Sequence, residues 1–285
     1  MARRKKPIVI SAPKRIEETY YKKLNAFIIA VEKWVRENVT PKLENWVALD
    51  KRELRGDSET AHFDASKKDI DSIFAKLNEL TDDMFGASWS ETLASDAASA
   101  TNAFNDKKNM SSLKQVLGVD IIQAEPWLKP RIETFVSSNV DLISSLKSEH
   151  LRKIKLQVGT VVENGIRNEA YAKQIEAQFG GELAKATSNV RARAKLIARD
   201  QISKLNGQLT ETRQTSAGIT HYQWITAGDE RVRATHAALN GKVFAWDKPP
   251  SVGHPGDDYQ CRCYAAPRLT PDMEDDVSLR RLFNK

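Results

Sequence analysis

Apolar positions recurring at steps of three and four mark most of this chain as helix. Ile16, Tyr20, Leu24, Phe27, Ile28, Val31, Trp34 and Val35 form one such stripe. Thr40-Pro41 predicts its end, because proline lacks the N–H and its ring crowds the preceding turn. Residues 43–63 are highly charged with Gly56 among them, and read as a helical continuation followed by a loop. A second stripe, Ile70, Ile73, Phe74, Leu77 and Leu80, follows Ser66. Residues 81–86 then read as the connection to a third helix, which carries Trp89, Leu93 and an alanine-rich run over 94–103.

Residues 105–112 are polar and turn-like, and the apolar cluster Val116, Leu117, Val119, Ile121 and Ile122 has no secure period. Pro126 and Pro130 predict a bend around Trp127 and Leu128. Beyond it Ile132, Phe135, Val136, Val140, Ile143 and Leu146 give a clear helix, and Leu151, Ile154, Val158, Val161 and Val162 another stripe running to Gly165. A short helix over 170–179 is expected to stop at Gly180-Gly181. Thr187 or Ser188 is the expected cap of the next helix, whose apolar face is Val190, Ala194, Ile197, Ala198, Ile202 and Leu205.

Past Gly218 the period changes. Residues 219–226 alternate aromatic and aliphatic side chains with polar ones, as a half-buried strand does. Asp229 is the expected N-cap of a short helix over 230–239, and Asn240-Gly241 is a turn leading to a second strand over 242–246. A Pro/Gly-rich loop, 247–258, precedes a third extended stretch, 259–265. The pattern predicts a mainly α-helical body with a small C-terminal α+β module. Its divisions are a basic flexible arm at 1–13, the body at 14–213, the module at 214–267 and a tail at 268–285.

Composition narrows the picture. Of 285 residues 40% are hydrophobic and 29% charged, and no apolar run approaches the roughly 18 residues of a membrane helix, so no membrane partner is expected. The N-terminal basic stretch lacks the apolar core of a signal peptide, since Pro7, Ser11 and Pro13 break it. Two cysteines separated by one residue cannot be a disulfide framework, which points to synthesis in a reducing compartment. The net charge of +6 is local. Residues 1–150 carry 23 basic and 23 acidic side chains and 214–285 carry 9 and 9, whereas 151–213 carry 12 and 6. Arg191, Arg193, Lys195, Arg199 and Lys204 on one helix are candidate contacts for double-stranded DNA or an acidic partner, or simply a solvated basic surface.

The chemistry of the chain is concentrated in the module. An extended Cys261-Arg262-Cys263 points both sulfurs one way and Arg262 the other. With His236 and His254 they make a candidate Cys2His2 set for zinc, with Asp229, Asp257 or Asp258 able to replace a histidine. A module with so little core would gain folding energy from a metal. The alternative is that the cysteines are small buried apolar residues and the histidines satisfy local backbone groups. A disulfide within the triplet would be strained. Asp229 is also placed to pair with an arginine such as Arg262. The catalytic reading is a metal-dependent nuclease or toxin-like enzyme, His236 serving as general base and Asp229 orienting it.

Trp224 and Thr226, then Asp229, Val232 and Arg233, then His236, Gly241, His254-Pro255 and Cys261-Arg262-Cys263 follow one another in an order that resembles the phage head morphogenesis family, the minor head proteins similar to phage Mu protein F. The resemblance covers about 45 residues, with weaker extension to the helices from about Thr187. It makes Trp224, Asp229, Arg233, Gly241 and Arg262 a structural signature. It implies a non-enzymatic protein of the virion, made in the host cytoplasm, which binds the portal protein and also major capsid or scaffold protein and assists capsid assembly and DNA packaging or ejection. A free DNA-binding protein is the third expectation, alongside the enzyme.

Overall fold

In the computed structural model of the chain, residues 13–53, 64–118 and 124–271 are described. The basic arm, apart from Pro13, lies outside them, as do residues 54–63 of the charged 43–63 stretch, 119–123 of the apolar cluster, and the tail from 272 onward.

The described helices are α1 Lys14–Asn38, α2 Leu43–Glu53, α3 Asp64–Phe85, α4 Ala87–Leu117, α5 Leu128–Arg167, α6 Glu169–Ala172, α7 Ile175–Ser216 and α8 Ala234–Ala237. A 3-10 turn, Thr40–Lys42, sits between α1 and α2 with Pro41 in its first turn, where a missing N–H costs nothing. The predicted α1 stripe is the buried one: Tyr20, Leu24, Phe27, Ile28, Val31 and Val35 are at most 2% exposed. Between α3 and α4 there is only Gly86, not a loop. A Cβ there would lie 2.3 Å from the Asp82 carbonyl oxygen, so the junction requires glycine.

Three expected breaks are absent. The two stripes of 132–162 belong to the single helix α5. Residues 105–112 continue α4. Helix α7 passes through Gly180-Gly181 and Thr187, because Ile175, Phe179, Leu183, Ala186, Val190, Ala194 and Ala198 keep one buried face across the glycines. Two glycines cost about 2 kcal/mol of helix propensity at about 1 each, less than burial of that face returns. The helix ends at Gly218, whose φ is +78°, and the Ile219 N–H donates back to the Gln214 carbonyl, a glycine-capped C-terminus.

The chain forms two compact units. One comprises Tyr21–Leu93 and Ser138–Lys195, and has Phe27, Phe85 and Trp89 packed edge to face in its core. The other comprises Met1–Tyr20, Ala94–Ser137 and Leu196–Lys285, and contains the candidate site. In this second unit α4 and α7 meet through polar side chains. Asn105 donates to the Asn206 carbonyl and side chain and to Thr210, while Asn109 donates to Asn105. Arg213, fully buried, donates to both oxygens of Glu125, to Asn105 and to Asn102, with its guanidinium 5.7 Å from the Trp127 ring centre. Such a set is stable only because each member finds partners.

The C-terminal module is a three-stranded antiparallel sheet in the order β2-β1-β3, built from β1 His221–Ile225, β2 Val243–Ala245 and β3 Tyr264–Arg268. Tyr222 pairs with Phe244 and Pro267, and Trp224 with Ala265. Tyr222, Trp224, Trp246 and Ala265 form its buried core. The module is fastened to the C-terminal half of α7. Gln214 donates to the Ala265 carbonyl, the Gln260 N–H donates to Asp200, and the 255–256 backbone rests on Gly207, where a Cβ would approach the Pro255 oxygen to 2.7 Å. A mainly helical body with a small C-terminal α+β module is the architecture.

Candidate metal centre

The expected helix over 230–239 shortens to α8, with Arg233 at its N-cap position and no side-chain cap. Asp229 is not the cap. One of its oxygens accepts from the Arg231 N–H at 3.2 Å, and both accept from the Arg262 guanidinium. That ion pair holds the Asp229 carboxyl below the usual carboxylate range, through the hydrogen bond from Arg262 first and the Arg231 N–H after it. A second clasp runs the same way, from Arg233 to Asp258 and to the Tyr259 carbonyl. Both clasps tie the 229–233 segment to 258–262. Gly241, at φ +82°, makes the turn into β2 and donates its N–H to the Trp224 carbonyl. The Asn240 side chain accepts from the Thr226 N–H.

Between the clasps lie His236, Cys261 and Cys263. Segment 261–263 lies before β3 rather than in a strand, and both its sulfurs face His236 while Arg262 turns to Asp229. Each sulfur is 3.5 Å from His236 Nδ1, and the three donor atoms lie within 4.8 Å of one another. Tetrahedral zinc, with Zn–S near 2.3 Å and Zn–N near 2.0–2.1 Å, requires a sulfur-to-nitrogen separation of roughly 3.6 Å. The sulfur-to-nitrogen spacing of the donor set therefore matches such an ion. His236 Nε2 is 3.0 Å from Asp258 Oδ2, so a proton held there leaves the Nδ1 lone pair facing the sulfurs. Trp224 packs edge to face on the same ring, at 5.4 Å between centres.

The sulfurs are electrostatically unequal. A hydrogen bond from Cys263, assisted against burial by backbone donors including the Gly256 N–H and by His236, lowers the Cys261 pKa to about 6. Giving that hydrogen bond, and burial, push the Cys263 thiol well up. The first proton leaves easily and the second does not, as befits a pair that a cation completes.

His254 does not join the cluster. Its Nδ1 is 3.0 Å from the Tyr222 hydroxyl, and its ring lies 4.9 Å from that of Trp246. Asp257 accepts from the His254 N–H. Asp229 and His236 do not pair with each other either, because Arg262 takes the first and Asp258 the second. The sequence offers Asp258 only as a substitute ligand; its position beside the His236 ring carries no sequence signal beyond an acid next to Tyr259-Gln260-Cys261.

Most of the basic set on α7 is engaged within the chain. Arg191 pairs with Glu32, Arg193 with Glu149 and Lys204 with Asp200, and Arg199 donates to Gln260. Lys195 is exposed.

The chain thus has a helical body and a small sheet module in which two arginine clasps flank a His–Cys–Cys cluster. Residues 152–266 match the sequence model of the family described as Phage Mu protein F like protein. An uncharacterized protein of Haemophilus influenzae is 35% identical over 186 residues, which are 64% of this chain and 40% of the relative. The chain thus spans well under half the length of that relative. No solved structure matches.

Proposed function

We propose that the chain is a phage minor head protein acting in head morphogenesis by binding rather than turnover. It engages the portal protein, together with major capsid or scaffold protein, and assists capsid assembly and DNA packaging or ejection. Its place is the virion head, after synthesis in the host cytoplasm. The observation that carries the reading is the family match across 152–266, which takes in the C-terminal part of α5, all of α7 and the module up to Ala266.

The site geometry supports the same reading. A general base needs an orienting partner and a free nitrogen. His236 points Nδ1 at two sulfurs and Nε2 at Asp258, while Asp229 is committed to Arg262. The metal, zinc by the softness of a two-thiolate, one-imidazole set, supplies cohesion between α8 and 261–263. Contact with packaged DNA is secondary, since Arg191, Arg193 and Lys204 have acidic partners of their own.

The test is co-purification with the portal protein of the same phage at ~0.5–1 M salt, where phosphate contacts have been screened away. The expected result is a stable complex that survives nuclease treatment. Elution as the free chain, or association only through DNA at low salt, overturns the proposal.

A further inference from the structure

The His–Cys–Cys set offers three ligands, and tetrahedral zinc takes four. The other candidate ligands read from the sequence have partners of their own. His254 Nδ1 is on Tyr222, Asp257 on the His254 N–H and Asp229 on Arg262. Asp258 bonds Nε2, the nitrogen on the far side of the His236 ring from the sulfurs. Among the described residues, none fills the fourth direction. His236, Cys261 and Cys263 line a small open cleft of about 30 Å³, whose other walls include Arg231, Arg233 and Arg262. That volume accommodates about one water molecule or the tip of one carboxylate. Cys263 is only partly buried, and Arg231 and Arg233 are exposed, so the cleft is reached from outside.

We infer that the metal centre has three protein ligands and a fourth, exchangeable position that takes an oxygen ligand from outside the chain, water by default and a carboxylate in competition with it. The inference rests on the metal reading of the same cluster. Two thiolates and a neutral imidazole on a divalent cation give a centre with no net charge, and Arg231 in the cleft wall favours an anionic newcomer over water, whereas Arg233 and Arg262 are already paired with Asp258 and Asp229. Structural zinc sites close their shell with protein ligands; a site that keeps one position open is built to bind something. The carboxylate comes either from a small molecule or from an Asp or Glu of another polypeptide.

The experiment is cobalt(II) substitution of the full chain under reducing conditions, followed by absorption spectroscopy. Loading is expected to give a thiolate-to-cobalt charge-transfer band and the visible bands of a tetrahedral ion, at one cobalt per chain. Acetate should then shift the visible bands saturably while the charge-transfer band persists. The same shift with a blocked Gly-Glu-Gly peptide assigns the ligand to a polypeptide side chain, and a shift with acetate alone assigns it to a small molecule. His254→Ala should leave the spectrum in place, and Arg231→Ala should raise the acetate concentration at half-shift several-fold. Cobalt bands that ignore acetate up to ~100 mM, or that change with His254→Ala, show a fourth protein ligand and overturn the inference alone. Absence of any charge-transfer band overturns the metal reading with it.

Discussion

Arg213 is the buried charge on which the polar contact of α4 with α7 depends. Replacing it by methionine takes the arginine donor from Glu125 and from the Asn102 side-chain oxygen and leaves Asn105 with Asn109 alone, and a broken buried pair costs about 3–5 kcal/mol. Denaturant titration should show that loss, and Arg213→Lys should restore little, since an ammonium cannot reproduce the fork. His150 is the second case. It is fully buried beside Phe27, and neither ring nitrogen has a hydrogen-bond partner among the described residues. Burial lowers its pKa to about 4, with Glu32 opposing and Arg191 and Lys153 adding to the shift. The folded protein thus resists a proton that the unfolded chain accepts near pH 6.5, and stability is lost as pH falls from about 6.5 towards 4. Between pH 7 and 5 the loss should be about 2 kcal/mol, and His150→Leu should remove that part of the slope. A parallel pH profile in the variant would contradict the assignment. At this scale the sequence was partly readable. Asp229 with Arg262 is evident from residue types, whereas the pairing of His236 with Asp258 depends on a loop that brings position 258 back across 22 residues.

Among the elements, the long helices are where propensity misleads and periodicity does not. Asn105, Asn109 and Ser112 have turn-forming side chains, yet their steps of four and three repeat in Asn206, Thr210 and Arg213 on the facing helix. Both stripes are buried, and a polar stripe at helical spacing is as good a signal as an apolar one when it finds a matching partner. Gly180-Gly181 misled for the same reason, because the buried face continues beyond it. Two glycine substitutions separate the roles of this residue in α7. At Gly180 a Cβ meets nothing within 4 Å, so Gly180→Ala should stabilise by about 0.5–1 kcal/mol. At Gly207 it meets the Pro255 and Gly256 backbone, so Gly207→Ala should destabilise by about 1–3 kcal/mol and perturb the near-ultraviolet dichroism of Trp224 and Trp246. Equal, favourable effects at both positions would contradict the docking of the 255–256 loop on α7. The sheet itself was legible, since aromatic alternation around Trp224 and the Asn240-Gly241 turn specify two strands. The third begins at Tyr264 rather than at 259, because the residues before it serve the cluster.

For the molecule as a whole, the proposal is that the helical body does the binding and that a metal at the His236, Cys261 and Cys263 cluster completes the small core of the module. The residues that look catalytic in sequence, Asp229, His236 and the two cysteines, are bound to arginine, to aspartate and to one another. What the sequence could not supply was the division of labour between the two histidines, since spacing treats His236 and His254 alike and only folding turns one towards the sulfurs. The most direct measurement is the metal content of the full chain, purified under reducing conditions without added metal, compared with that of Cys263→Ser. The account predicts one zinc per chain, its loss in the variant, and a matching fall in thermal stability when the wild-type chain is treated with a strong chelator. A wild-type chain that carries no metal, binds none when zinc is offered, and unfolds at the same temperature with and without chelator would contradict it.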